Sequence, residues 1–213
     1  MNPAFTKANR YIFDPSAWSW NLPSGWSCPA ASECLAKADK ESGKISYGEN
    51  MKFRCYSAMT ERYPSVRKRL WANFDAVKGK GAGDVKKVLE MAFPRKARLI
   101  RIHSAGDFFS QAYFDGWLEF IRSKEDVRFY AFTKSLPFWI NRINDIPPNF
   151  VLQASYGGKH DHLISQYNLK FAKVVWSEEE AMKLGLWIDY DDTLAAQHGP
   201  SFALLENFTA KKK

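Results

Sequence analysis

Only three cysteines occur in the 213 residues, Cys28, Cys34 and Cys55, so the chain has no fourth to complete the set of four that a closed structural zinc or cluster site commonly uses. An odd count also excludes a complete disulfide framework within the chain, and thiols kept free in a reducing cytoplasm are available for metal or for chemistry. Histidine is nearly as scarce, with His103, His160, His162 and His198. No run approaches the ~20 apolar residues of a membrane helix. The opening MNPAFTKANRYIF lacks the apolar segment of a secretion signal, so the expectation is a soluble, cytoplasmic protein with no membrane partner. Dense charge is also missing. The short basic runs Arg67-Lys68-Arg69, Lys78 to Lys80 and Lys211-Lys212-Lys213 read as solvated faces and a tail. The glycine run from Gly79 to Gly83 departs from the phosphate-loop pattern and reads as a flexible linker.

What the chain does have is aromatic bulk and positive charge. Sixteen Phe, nine Tyr and eight Trp argue for a packed core over most of the length, and 213 residues suit one domain. The net charge of +8 favours anionic partners, nucleic acid among them, as a weak long-range signal.

Five residues separate Cys28 from Cys34, and twenty separate Cys34 from Cys55. Three thiolates can hold a site-differentiated iron–sulfur cluster and leave one iron open to a substrate or cofactor. The expected metal ligands are therefore Cys28, Cys34 and Cys55, around a four-iron, four-sulfur (4Fe-4S) cluster. Residues 1–83 read as an irregular, cysteine-bearing N-terminal segment. Residues 1–27 show no sustained period, Ser32 is placed to cap a short helix bearing Cys34, and Lys37 to Asn50 form a loop or hairpin. After Cys55 the pattern is helical, broken near Pro64.

Residues 84–213 read as a core of βα repeats in the same single domain. Asp84 caps a helix ending near Pro94; strands follow at 99–103, 127–132, 150–155 and 172–176, with helices begun by Ser110, Pro137 and Ser177 between and after them. LWIDY and SFALLENF supply two further strands. The fold class is α/β with a parallel sheet, either doubly wound or a partial or full TIM-like barrel, and in each of these function gathers at the carboxyl ends of the strands.

At those ends stand His103, Ser104, Gly106, Asp107, Thr133, Lys134, Gln153 and Ser155. Many loop residues of this kind are ordinary turns and caps, and Ser110 and Ser177 are assigned wholly to capping. Asp107 follows a glycine that lets backbone approach a ligand closely, and a carboxylate at a strand end binds an amine or acts as a base. His103 is either a core histidine or a site residue; strand alternation sets it on the face of Leu99 and Arg101. His160 and His162 are unassigned, and His198 reads as a turn residue.

Taken together, SCPAASEC, FRCYSAM, RIHSAGDFFSQAYFDGW and RFYAFTKSLPFW resemble the phage family named for mycobacteriophage gene product eighty-eight, over roughly residues 25 to 180. That resemblance implies a phage-encoded protein in the host cytoplasm and an iron–sulfur character. A looser likeness is to radical S-adenosylmethionine enzymes, in which three cysteines bind a four-iron cluster and the open iron takes the cofactor. Ala105-Gly106-Asp107 is similar in position to their segment that holds the cofactor amine, and Tyr56 beside Cys55 also fits. The wide cysteine spacing, Asp107 in place of a glutamate and the lack of an evident strand ahead of Cys28 depart from that pattern.

Two function classes follow. The first is a radical-type iron–sulfur enzyme drawing on an electron donor, with Gly106 and Asp107 at the cofactor amine and Thr133, Lys134, Gln153 and Ser155 lining the cavity. The second is a non-catalytic protein stabilised by a cluster or by zinc, with His103 as fourth ligand, that binds nucleic acid or a protein partner. A third reading leaves the cysteines as buried apolar residues.

Overall fold

The structure, a computed structural model, describes residues 1–206; the basic run Lys211 to Lys213 and the end of SFALLENF lie outside them. Two strands precede the cysteines, β1 (Thr6–Lys7) and β2 (Trp18–Trp20), and a small hairpin of β3 (Ala36–Ala38) and β4 (Ile45–Tyr47) follows. Three helices come next, α1 (Tyr56–Thr60), α2 (Pro64–Val77) and α3 (Ala82–Ala92). The βα succession then runs β5 (Leu99–Ile102), α4 (Gln111–Arg122), β6 (Arg128–Thr133), α5 (Leu136–Ile140), β7 (Phe150–Ser155), α6 (His162–Gln166), β8 (Phe171–Val175) and α7 (Glu178–Lys183). It closes with β9 (Trp187–Ile188) and β10 (Phe202–Leu205).

The main sheet has eight strands in the order β1-β2-β5-β6-β7-β8-β10-β9, and every ladder is parallel except that between β1 and β2. From β2 to β8 each strand lies beside its predecessor in the sheet. Successive right-handed crossovers in one direction place their helices on one face. That is the packing observed: Phe114, Trp117 and Ile121 of α4, Val85 and Leu89 of α3 and Ile164 of α6 share one apolar cluster with Ile100, Ile102, Phe129, Ala131 and Leu152 of the strands. The doubly wound alternative, which needs helices on both faces, is not formed. Among the described residues no ladder joins β9 to β1, so the sheet is open and mostly parallel.

The opposite face carries Leu99, Tyr130, Val151, Ala172 and Phe202, and two irregular stretches cover it with Ile12, Ala17, Ala195 and Ala196. Arg101 and Gln153 point to this side as well, and both are tied to the 189–198 stretch. Arg101 Nη1 lies 2.6 Å from Asp192 Oδ2, which also accepts from Tyr130 Oη at 2.9 Å, and Gln153 Nε2 donates to the Ala195 carbonyl.

Several local expectations need correction. Residues 1–27 are not merely a surface wrap. Phe5 and Trp20 enter the core and β2 pairs with β5, which gives the cysteine segment a strand before it. The motif WSW is too short, between Pro15 and Pro23, to show a period. No helix forms at Ser32, because the Ser32 and Glu33 amides donate to the Gly157 carbonyl instead. The helix α3 begins at Ala82 with Gly81 at its N-cap, so Asp84 lies in its first turn and Ala82 and Gly83 are helical rather than linker. Arg67 is buried, and its guanidinium donates to the carbonyls of Lys40, Glu41 and Glu61, which pins the tip of the hairpin. The caps at Ser110 and Ser177 form as expected, accepting from the Tyr113 and Glu180 amides.

The close contact of α3 with α4 depends on Gly116, where an added Cβ would lie 2.6 Å from Val85 Cβ and 2.8 Å from the Ala82 carbonyl. Gly116→Ala is therefore expected to destabilise the chain by about 1–3 kcal/mol through overpacking, measured as a lower urea midpoint at unchanged slope.

Candidate metal centre

The cysteine segment lies on the carboxyl ends of β5, β6 and β7. Leu22 N donates to the Ala105 carbonyl at 2.9 Å and Asn21 Oδ1 accepts from Ala105 N, which ties the chain after β2 to the loop after β5. Gly106, at φ +88°, gives that loop its close approach. An added Cβ there would meet Ser27 Oγ at 2.5 Å and Leu22 Cβ at 2.7 Å, so what Gly106 lets near is the residue before Cys28 rather than a ligand. Farther on, Ala31 bridges to Gly158 and Lys159 Nζ donates to the Pro29 carbonyl at 2.8 Å, fastening the segment to the loop after β7. Cys55 then occupies the N-cap of α1.

The three thiols are free and half-buried. Burial first, then Asp107, Cys55 and Cys34, push the Cys28 thiol well up. Burial likewise raises Cys34 to about 11, against the pull of the Lys134 ammonium and with a further push from Cys55 and Asp107. Cys28 thus lies in the field of the other two thiols, and Cys34 in that of Cys55 and of the Lys134 ammonium. Gly25 N donates to Cys28 Sγ at 3.3 Å, and the Ser57 hydroxyl lies 3.1 Å from Cys55 Sγ. Among the described residues no three His, Cys, Asp or Glu side chains approach as the ligands of a single ion do. A polynuclear cluster takes its thiolates on different metal atoms and so spaces them more widely.

Asp107 and Lys134 form the floor. Both are buried, and the carboxylate accepts from the Phe108 amide at 2.7 Å, Thr133 Oγ1 at 2.6 Å and the Lys134 amide at 2.8 Å. Burial raises Asp107 to about 6, and those three hydrogen bonds limit the rise. Its acceptors are spent on the ends of β5 and β6. The Lys134 ammonium donates to Ser155 Oγ at 2.7 Å, to the Ser155 carbonyl at 3.1 Å and to the Tyr156 carbonyl, and lies over the Phe53 ring.

The remaining strand-end residues separate. His103 adopts φ +64°, which turns it out of β5 and away from the face of Leu99 and Arg101. Its ring packs against Phe108, Tyr113 and Trp117 on the helix side, with Nε2 2.9 Å from Tyr113 Oη, and Nδ1 is buried without a partner. Ser104 accepts at its carbonyl from Tyr56 Oη at 2.8 Å, and its hydroxyl meets Ser19 Oγ. Gln153 lies under the 189–198 stretch on the other face. Of the expected set, Gly106, Asp107, Thr133, Lys134 and Ser155 surround the cysteines, whereas His103 and Gln153 are engaged elsewhere. Sequence reasoning missed Ser24, Ser57 and Glu61 behind Cys55. A lone glutamate after a short helix reads as solvated, and its burial depends on a partner 37 positions earlier.

Burial holds His103 neutral in the folded chain, with a pKa near 3 against 6.5 for the free ring. The unfolded chain takes up a proton below pH 6.5 and the folded chain does not, so this contribution to stability is lost as pH falls from 6.5 toward 3. His103→Gln, which removes the titration, is expected to shrink the drop in urea midpoint between about pH 7 and pH 5.

These features define a mixed α/β protein with a singly wound, mostly parallel sheet and three free cysteines in the segments beside its strand ends. The sequence profile of the family described as Gene product 88 matches residues 2–212, and the chain belongs to that family. The Gene 88 protein of Mycobacterium phage L5 is similar, at 33% identity over 128 residues, which is 54% of this chain and 47% of that protein. The chain thus spans about half the length of that curated relative. No solved structure matches the chain. Among the described residues no helix is long and apolar enough to cross a membrane.

Proposed function

We propose that Cys28, Cys34 and Cys55 hold a 4Fe-4S cluster at the carboxyl ends of β5, β6 and β7 of a partial barrel. The observation that carries this reading is that Cys28 and Cys34, in the connection between β2 and β3, and Cys55, ahead of α1, lie near enough for Cys28 to feel both other thiols, with the buried Lys134 acting on Cys34. Bound there, a cluster would supply one-electron transfer and an iron with no protein ligand, open to a substrate or cofactor. The chain's own part is to place the thiols, to donate to Cys28 from the Gly25 amide, and to offset thiolate charge with the Lys134 ammonium. The raised Cys28 and Cys34 thiols must lose their protons on loading, so assembly is favoured by higher pH.

S-adenosylmethionine at the open position is the second reading, supported by the three-thiol set above parallel strand ends. On this reading the cofactor amine would compete for Asp107 with the donors of Thr133, Phe108 and Lys134. A zinc-stabilised or purely binding role, including nucleic acid drawn by the charge of +8, is the alternative class.

Anaerobic purification with iron and acid-labile sulfide assays tests the cluster. About four irons per chain are expected, falling below about one in each of Cys28→Ser, Cys34→Ser and Cys55→Ser; zinc, or iron without sulfide, contradicts the reading. A shift of the reduced electron paramagnetic resonance signal on adding S-adenosylmethionine supports the second reading, and an unchanged signal argues against it.

A further inference from the structure

Trp26 is an indole held still at the surface. It is 47% exposed, yet its Nε1 donates to the Ala38 carbonyl of β3 at 2.8 Å and its ring leans on Trp71 of α2, with centroids 5.8 Å apart. A flat ring that is already immobile binds a ligand at little cost in ordering. Together with Asp39, Ser42, Lys44, Ile45 and Ser46 of the hairpin, Trp26 lines a cleft of about 310 Å³. That lies at the low end of the ~300–1,000 Å³ of clefts that take small ligands.

Lysines follow the rings that lead away from this cleft. Lys37 Nζ lies 4.9 Å from the Trp26 centroid, Lys40 Nζ 4.5 Å from that of Trp71 and Lys78 Nζ 5.6 Å from that of Phe74. Trp71 and Phe74 are themselves 5.8 Å apart. Lys40 is paired with Asp75 at 3.1 Å, whereas Lys37, Lys44 and Lys78 have no carboxylate partner among the described residues. The acid in the cleft wall is Asp39, whose Oδ1 accepts from the Ser42 amide and hydroxyl at 2.7 Å each. A carboxylate there disfavours a bound phosphate inside the cleft, and it can accept from the exocyclic amine of a base.

We propose that this surface binds single-stranded nucleic acid, with one base stacked on Trp26 in the cleft and the flanking phosphates drawn to Lys37, Lys44 and Lys78. Unpaired bases offer the faces that a fixed indole stacks on, and a duplex hides them. Stacking a base is worth more than a cation–π contact at an exposed site, so the Lys37 ammonium gives up the ring and moves onto the backbone. The contacts on offer are to base and phosphate, so DNA and RNA strands are equivalent. An acidic peptide would use the lysines and leave the indole and its cleft idle. The net charge of +8 draws any polyanion toward the chain, and the ring selects among them. This binding does not rest on the cluster reading, and it gives the positive charge a defined place on the fold.

The test is fluorescence anisotropy of short labelled oligothymidine and oligouridine with the full chain across a salt series. Both strands are expected to bind, and a duplex of the same length to bind more weakly at each salt concentration. Trp26→Ala is expected to weaken binding about tenfold and Trp26→Phe to keep most of it. Lys44→Gln is expected to lower the slope of log affinity against log salt by about 0.7, while Lys183→Gln on α7 leaves it unchanged. The Phe and Gln variants hold the comparison if Trp26→Ala loosens the hairpin, which its urea midpoint reports. Strands that fail to bind at low salt, a folded Trp26→Ala variant that binds as the wild type does, or a Lys183→Gln change equal to that of Lys44→Gln overturns the proposal. Displacement of the strands by polyglutamate at equal charge concentration also overturns it, and marks an acidic protein as the occupant.

Discussion

The Asp107 carboxylate is the contact on which the arrangement depends. Three donors from two strand ends close on it, and the Lys134 side chain that follows reaches across to the end of β7. A buried carboxylate with fewer partners would favour the protonated form and leave Thr133 and two amides without acceptors, each costing about 1–3 kcal/mol. Held this way, the ends of β5, β6 and β7 form a fixed polar floor. The cysteine segment lies over that floor at the tight approach allowed by Gly106.

The two faces of the sheet have different work. The helix side is a dense aromatic core, in which Trp20, Phe108, Tyr113, Phe114, Trp117, Phe120 and Phe129 are fully buried. The other side is filled by chain without regular structure, fastened by the Arg101–Asp192 ion pair and the Gln153 bond to Ala195. Tyr56, next to Cys55, accepts from Arg101 Nη2 at 3.3 Å and donates to the Ser104 carbonyl, so the same polar chain that closes the second face also braces the cysteine site.

Much of this was legible in the sequence, and the failures have physical causes. The strands β5 to β8 and the caps at Ser110 and Ser177 were visible because apolar runs and capping residues act locally. The strand β2 was not, since three residues between proline-bearing turns show no period and its pairing with β5 is some 80 positions away. His103 was set on the wrong face because a left-handed backbone at the strand end breaks the alternation that the inference relies on. Asp107 and Lys134 were singled out correctly as strand-end residues, yet their partners on neighbouring strands could not be read from local pattern. Glu61 and Asp192 are engaged through contacts that only the folded chain creates.

The central claim is that three cysteines from two loops ligate one polynuclear centre with a differentiated iron. Mössbauer spectroscopy of protein reconstituted without oxygen with isotope-enriched iron reads this directly. The expected spectrum has the isomer shifts of irons in all-sulfur coordination, with one site set apart by its missing thiolate. A spectrum of isolated high-spin iron, or protein that retains no iron after desalting, would contradict it.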